Sequence, residues 1–70
     1  MKYIIVDGKY PILFPDTLLH CEVAEGFADI TSAGHTELEN GKVRVFGESE
    51  TLKLKWKDGD ATLISNLLNL

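Results

Sequence analysis

The chain reads as one α+β domain: a small curled antiparallel sheet of about five strands, a short helix, and a C-terminal amphipathic helix packed on one face. Three observations predict it. Asn40-Gly41 stands between two alternating runs, Leu52, Leu54 and Trp56 alternate with Lys53, Lys55 and Lys57, and the stretch after Asp60 repeats its apolar residues at helical spacing. Seventy residues leave room for a single domain, residues 1–70. A chain of this size buries only about 60% of the surface it exposes when unfolded, so no deep pocket is expected.

Lys2 to Val6 is strand-like, and Asp7-Gly8 is a turn signal leading into a second strand, Tyr10 to Phe14. A plain two-residue loop at Asp7-Gly8 would set Pro11 opposite Ile4 at a hydrogen-bonded position. Proline has no N–H to donate there, so the second strand is expected at the sheet edge or with a bulge. Pro15 and Asp16 end it.

Thr17 to Phe27 supports two readings. Leu19, Cys21 and Val23 alternate with His20, Glu22 and Ala24 as a strand would, but a hairpin through Glu25-Gly26 would face Glu22 with Asp29, two like charges. In the helical reading Val23, Ala24 and Phe27 share a face and Gly26 lies near the C-terminal end. We take the short helix, about His20 to Glu25.

Extended structure resumes from Phe27 to Ser32. Ser32-Ala33-Gly34, three small residues in mid-strand, point to a bulge or to close approach by another backbone, and Gly47 plays the matching part on the other arm. That pair of strands is expected to bend sharply. Between them, Asn40-Gly41 suits a type I′ turn, which needs positive φ at both central residues. A two-residue loop forces the pairs Glu39–Lys42, Leu38–Val43, Glu37–Arg44, Thr36–Val45 and His35–Phe46. Both charge pairs are opposite in sign, and Leu38, Val43, Thr36 and Val45 share the other face; a one-residue slip would destroy both arrangements.

The alternation over Leu52–Trp56 then supplies the fifth strand, with its lysines toward solvent. Asp58-Gly59-Asp60 breaks it, and Asp60 is placed to cap the last helix. Ala61, Leu63, Ile64, Leu67, Leu68 and Leu70 fill about half of that helix and need a sheet or a partner to lie on.

Composition narrows the function classes. With 44% hydrophobic and 26% charged residues the chain is neither disordered nor membrane-spanning in type, and its apolar runs are far short of the ~20 residues that cross a bilayer. Met1 to Asp7 has too short an apolar core for a signal peptide, so a cytoplasmic location is expected. Cys21 is the sole cysteine, which excludes an intrachain disulfide and a cysteine-based zinc site. Stability therefore rests on packing or on association with a partner. The formal net charge of −4 argues against a nucleic-acid binder.

Each candidate for chemistry has a plainer structural explanation. His20 and Cys21 are adjacent and point apart in either secondary structure, so they form no dyad; Cys21 would need His35, which the register sets on the polar face. Asp58-x-Asp60 lacks the further oxygens of an EF-hand, whose twelfth position is Asn69 here. Gly47-Glu48-Ser49 falls short of a nucleophile elbow, because Thr51 stands where the second glycine belongs. Trp56 lies opposite Lys53, Lys55 and Lys57, unlike a base-stacking face.

Phe14-Pro15 with His20, then Ser32-Ala33-Gly34, then Gly47-Glu48-Ser49-Glu50-Thr51-Leu52 and the closing Asp60-Ala61 helix together resemble a pattern in very small uncharacterised bacterial and prophage-borne proteins. His35 stands where that pattern has a bulky aromatic, and Thr51 where a serine precedes Leu52. The resemblance implies a compact β-rich domain of phage or mobile-element character, and it brings no known activity.

The expected function is a non-enzymatic protein-interaction module, such as a phage accessory or anti-defence protein that binds a host protein, with self-association into a homodimer as a further arrangement. The alternative is a small hydrolase or ligand-binding domain using His20, Ser32 and Ser49. Candidate binding residues are His20, Ser32, Gly34, His35 and Ser49. No catalytic residue, cofactor, metal, nucleic-acid or membrane partner is expected.

Overall fold

The structure is a computed structural model that describes Met1 through Leu70. It is the expected small α+β fold, with a four-stranded antiparallel sheet, a second sheet of two strands, and two helices of which one is C-terminal. The large sheet comprises β1 (Lys2–Val6), β2 (Tyr10–Phe14), β3 (Ile30–Glu39) and β4 (Lys42–Phe46), in spatial order β2-β1-β3-β4. Helix α1 (His20–Ala24) links β2 to β3, and β5 (Glu48–Ser49) pairs with β6 (Leu54–Lys55) before α2 (Asp60–Leu67).

The β3–β4 hairpin has the five pairs that its charges and its apolar face require, from Glu39–Lys42 to His35–Phe46. Asn40 and Gly41 carry φ of 54° and 77°, the left-handed values of a type I′ turn. Arg44 bonds Glu37 at 2.6 Å across the strands. In the β1–β2 hairpin the register is one residue longer than a two-residue loop allows. Val6 faces Tyr10, so Lys9 joins the loop and Pro11 lies opposite Ile5 on the edge strand β2. The missing N–H of Pro11 thereby costs the sheet nothing.

Helix α1 begins where Glu22 reaches back to accept the Leu19 N–H at 2.9 Å, and it stops after Ala24, with Gly26 two residues on. It is the helical of the two readings of Thr17–Phe27, one residue shorter than the expected His20 to Glu25, and the like-charge clash of the strand reading is absent. In β3 the bulge falls at Thr31: Ile5 faces Ser32 but Val6 faces Ile30. The Thr31 hydroxyl accepts the Gly8 N–H at 3.1 Å, which ties the bulge to the first hairpin loop.

The fifth strand does not extend the large sheet. Gly47, with φ of 74°, turns the chain out of the line of β4, and Lys53, with φ of 56°, ends the extended run on the far side. What remains of the Leu52–Trp56 alternation is the two-residue β6 against β5. Leu52 and Leu54 are half-buried as expected, but Trp56 is exposed.

Alternation along β1 divides the core between the two faces of the sheet. Tyr3 and Ile5 meet Ile64 of α2 on one face, with Leu13, Val43, Val45 and Leu63 around them. Ile4, Phe14 and Ala33 lie on the other, covered by Val23 of α1 and by Leu52 and Leu54. Complete burial of Ile64, at roughly 1.5–3 kcal/mol for a large aliphatic, is the main apolar anchor of α2. No helix is long and apolar enough to cross a membrane.

Asp60 corrects the expected cap. Its carboxyl makes no cap to its own helix, where Gly59 holds the N-cap position. It turns into the protein and accepts the Tyr3 hydroxyl at 2.6 Å, the Ser32 hydroxyl at 2.9 Å and the Lys57 N–H at 3.0 Å. This buried group pins the start of α2 to β1 and β3.

Candidate functional site

The sequence candidates divide between the two sheet faces. His20, Gly34 and His35 come together on the α1 face. The His20 ring, only 5% exposed, lies edge-on to Phe14 at 5.4 Å and to His35 at 5.7 Å between centroids. His35 in turn stacks on Phe46 at 5.7 Å, and the Arg44 guanidinium sits 4.7 Å over the Phe46 ring. Gly34 contributes its backbone: its carbonyl lies 2.9 Å from His20 Nε2. A carbonyl can only accept, so Nε2 carries the hydrogen and Nδ1 of the neutral ring is a bare acceptor.

Nδ1 makes no hydrogen bond within the protein, and no buried side-chain nitrogen or oxygen lacks a partner. His20 lines a polar cleft of about 260 Å³ together with Lys2, Leu19, His35, Glu48, Glu50 and Thr51. Lys2 is held at the rim by its bond to the Leu18 carbonyl, 2.8 Å. Lys2, Glu48 and Glu50 were not among the sequence candidates; they are ordinary surface charges that the fold brings to the lining of one cleft.

Ser49 sits beside this cleft but faces inward. It is buried, its Oγ accepts the Leu52 N–H at 3.2 Å, and it shares a hydrogen with Thr51 at 3.3 Å. Ser32 lies on the opposite face, bonded to Asp60. His20, Ser32 and Ser49 therefore do not converge, and neither serine is hydrogen-bonded to an imidazole as an activated nucleophile would be. No three His, Cys, Asp or Glu side chains are grouped so as to hold a metal ion.

Burial holds the His20 ring below its ordinary value near 6.5, with Lys2 and His35 acting in the same direction against the Gly34 bond. The unfolded chain thus takes up this proton at a higher pH than the folded one. Stability from His20 is present above about pH 6.5 and is lost as pH falls toward the folded value. Thermal melts at stepped pH should show Tm dropping below this point. His20→Phe, which keeps the aromatic packing, should flatten that drop; an unchanged slope would place the acid sensitivity elsewhere.

On the α2 face a second opening of about 360 Å³ runs between α2 and the β3–β4 hairpin. Its walls are mostly apolar, Met1, Leu13, Leu38, Val43, Ile64 and Leu68, with Thr36 and Glu37 completing them. Met1, Leu38 and Leu68 are 56%, 59% and 41% exposed, and Leu67 and Leu70 are exposed beside them at the end of α2. The helical wheel placed these leucines on the buried side. Ile64 is the last fully buried side chain of α2, and every residue from Asn66 onward is exposed. No family model matches this chain, and no curated protein or solved structure matches it either.

Proposed function

We propose that the chain is a non-enzymatic protein-interaction module that engages its partner through the groove between α2 and the β3–β4 hairpin. The observation that supports it is the run of aliphatic side chains left open there. Met1, Leu38, Leu67, Leu68 and Leu70 are each between 41% and 59% exposed, and Met1, Leu38 and Leu68 line the same opening. Residues 61–70 carry no charged side chain in a chain that is 26% charged as a whole, matching the charge-depleted centre of an interface.

A protein bound here would lay an apolar helix or loop between Leu38 and Leu68. A host protein bound by a phage or mobile-element accessory factor fits this reading, and so does a second copy of the chain. Light scattering across a concentration series, followed by capture of partners on the immobilised protein, separates these arrangements. Leu68→Glu should abolish either association while leaving the unfolding free energy within about 0.5 kcal/mol, as for other exposed substitutions. A chain that stays monomeric at high concentration, and captures nothing that Leu68→Glu fails to capture, would refute the proposal.

A further inference from the structure

We propose that Asn40 is a site of spontaneous covalent modification: its carboxamide is exchanged for a carboxyl through a cyclic imide closed by the Gly41 nitrogen, with water as the only co-reactant. The asparagines of the chain are Asn40, Asn66 and Asn69, and the fold leaves this chemistry open at Asn40 alone.

In the reaction the Gly41 main-chain nitrogen gives up its hydrogen and attacks Cγ of Asn40. The new N–Cγ bond closes a succinimide ring, the Cγ–Nδ2 bond breaks, and the hydrogen leaves with Nδ2 as ammonia. Water then opens the ring. Cleavage at Cγ yields aspartate, whereas cleavage at the main-chain carbonyl carbon yields isoaspartate, with the chain running through Cβ and Cγ. No electron is gained or lost; a water is taken up for each ammonia released.

Such an attack needs an exposed amide, a following N–H that is not already bonded, and room to turn. Asn40 and Gly41 are both exposed at the hairpin tip, and the Gly41 N–H has no acceptor within the protein. The ring closes by rotation about the Asn40 Cα–C bond. Nothing lies within 4 Å of where a Cβ on Gly41 would stand, so no neighbour obstructs that rotation.

The other asparagines lack these conditions. Asn66 lies inside α2, where the N–H of Leu67 belongs to the helix ladder. Asn69 has φ of 60°, close to the 54° of Asn40, but the Leu70 N–H donates to the Ser65 carbonyl at 2.9 Å. The loop at Asp7-Gly8 is the nearest parallel. Its φ values of 55° and 65° resemble those of Asn40 and Gly41, yet the Gly8 N–H is committed to Thr31 Oγ1 at 3.1 Å. Two turns of like backbone therefore differ in the N–H that the reaction uses.

Isoaspartate adds a main-chain carbon to a two-residue turn whose length sets the register, and its carboxylate joins Glu37 and Glu39 beside Lys42 and Arg44. The adjoining pairs Glu39–Lys42 and Leu38–Val43 lose their fit first. Leu38 and Val43 are walls of the apolar groove, so the modified chain has a loosened groove; any effect on binding rests on the function proposed above, and the chemistry does not.

The test is incubation of the full chain in warm, mildly alkaline buffer, followed by peptide mass mapping, with a synthetic peptide of residues 37–43 as reference. Asn40 should gain the mass of a carboxyl over a carboxamide at a rate within a few-fold of the reference, while Asn66 and Asn69 stay intact. Gly41→Ala should slow it several-fold. Asp7→Asn sets a second asparagine before a glycine in a like turn. Position 7 should then react several-fold more slowly than Asn40, and adding Thr31→Val, which removes the acceptor of the Gly8 N–H, should close that gap. An Asn40 that survives while the reference peptide converts would overturn the proposal, and so would a position 7 that reacts as fast as Asn40 with Thr31 in place. The isolated isoaspartyl product should lose its Leu38–Val43 NMR contacts, and their retention would overturn the loosening of the groove. Mass mapping needs no partner, so these outcomes are read separately from the groove's binding role, which Leu68→Glu tests.

Discussion

Replacing Asp60 by alanine is expected to lower the unfolding free energy by roughly 3–5 kcal/mol in a urea titration. A domain of this length has only about 4–10 kcal/mol to lose, at the usual stability per residue. The cost arises from what is left behind more than from the carboxyl itself. Tyr3 is 0% exposed and Ser32 1%, so both hydroxyls would be stranded away from water, each at about 1–3 kcal/mol. The Lys57 N–H, half-buried at the entry to α2, would lose its acceptor as well. Burial together with the bond to Asp60 already pushes the Tyr3 phenol far above its ordinary range, which keeps the hydroxyl a donor at neutral pH.

This account separates the orphaned donors from the lost carboxyl. In a Tyr3→Phe/Ser32→Ala background, removing Asp60 leaves no stranded hydroxyl and should cost far less than in the parent chain. Asp60→Asn keeps the shape and one strong acceptor and should fall between. If Asp60→Ala unfolds within about 1 kcal/mol of the parent, water has satisfied the donors and the network does not hold α2 in place.

The parts of the fold that were legible in the sequence are those decided by neighbours along the chain. Asn40-Gly41 specifies its turn through the φ of two residues, and the charges on either side then leave a single register. The first hairpin was legible up to one residue, because Asp7-Gly8 marks the reversal while Pro11 decides where pairing resumes. Asp60 shows the opposite case. A cap is a local inference, whereas its actual partners Tyr3 and Ser32 lie 57 and 28 positions away. Only the folded sheet brings them to the first turn of α2.

The candidate site follows the same division. Ser32 and His35 differ by an odd number of positions in one strand, so period-two alternation already sends them to opposite faces, as the structure does. Gly34 escapes that rule because it acts through its carbonyl, which lies in the plane of the sheet. His20 was identified by residue type alone. Its fixed tautomer and the cleft it lines depend on how α1 and β5 are packed against β3, and no spacing in the sequence encodes that.

Gly34→Ala is the second change with a large expected effect, and its cause is space. Its φ lies outside the left-handed region, so the residue needs no glycine for its backbone angles. A Cβ there would lie 2.8 Å from the Phe46 carbonyl oxygen, with Tyr3 Cε1 at 3.4 Å and the Gly47 carbonyl at 3.5 Å. The nearest obstacle is backbone and cannot rotate away. Relief requires β3 and β4 to separate just before Gly47, where the small residues predicted close approach by another backbone, and overpacking of this kind costs about 1–3 kcal/mol or more. In a domain this size a loss near 2 kcal/mol lowers Tm by roughly 8–16 °C. Gly41→Ala is the contrast: nothing lies within 4 Å of a Cβ there, and only the positive φ is penalised, at about 1 kcal/mol. The two variants also differ in reach. Gly34→Ala displaces the carbonyl that fixes the His20 ring, so the His20 imidazole signals should shift along with the melt, whereas Gly41→Ala should leave them unchanged. Equal destabilisation by the two alanines, with a silent His20 in both, would show that the strands yield easily and that close approach at Gly34 does not set the geometry of the cleft.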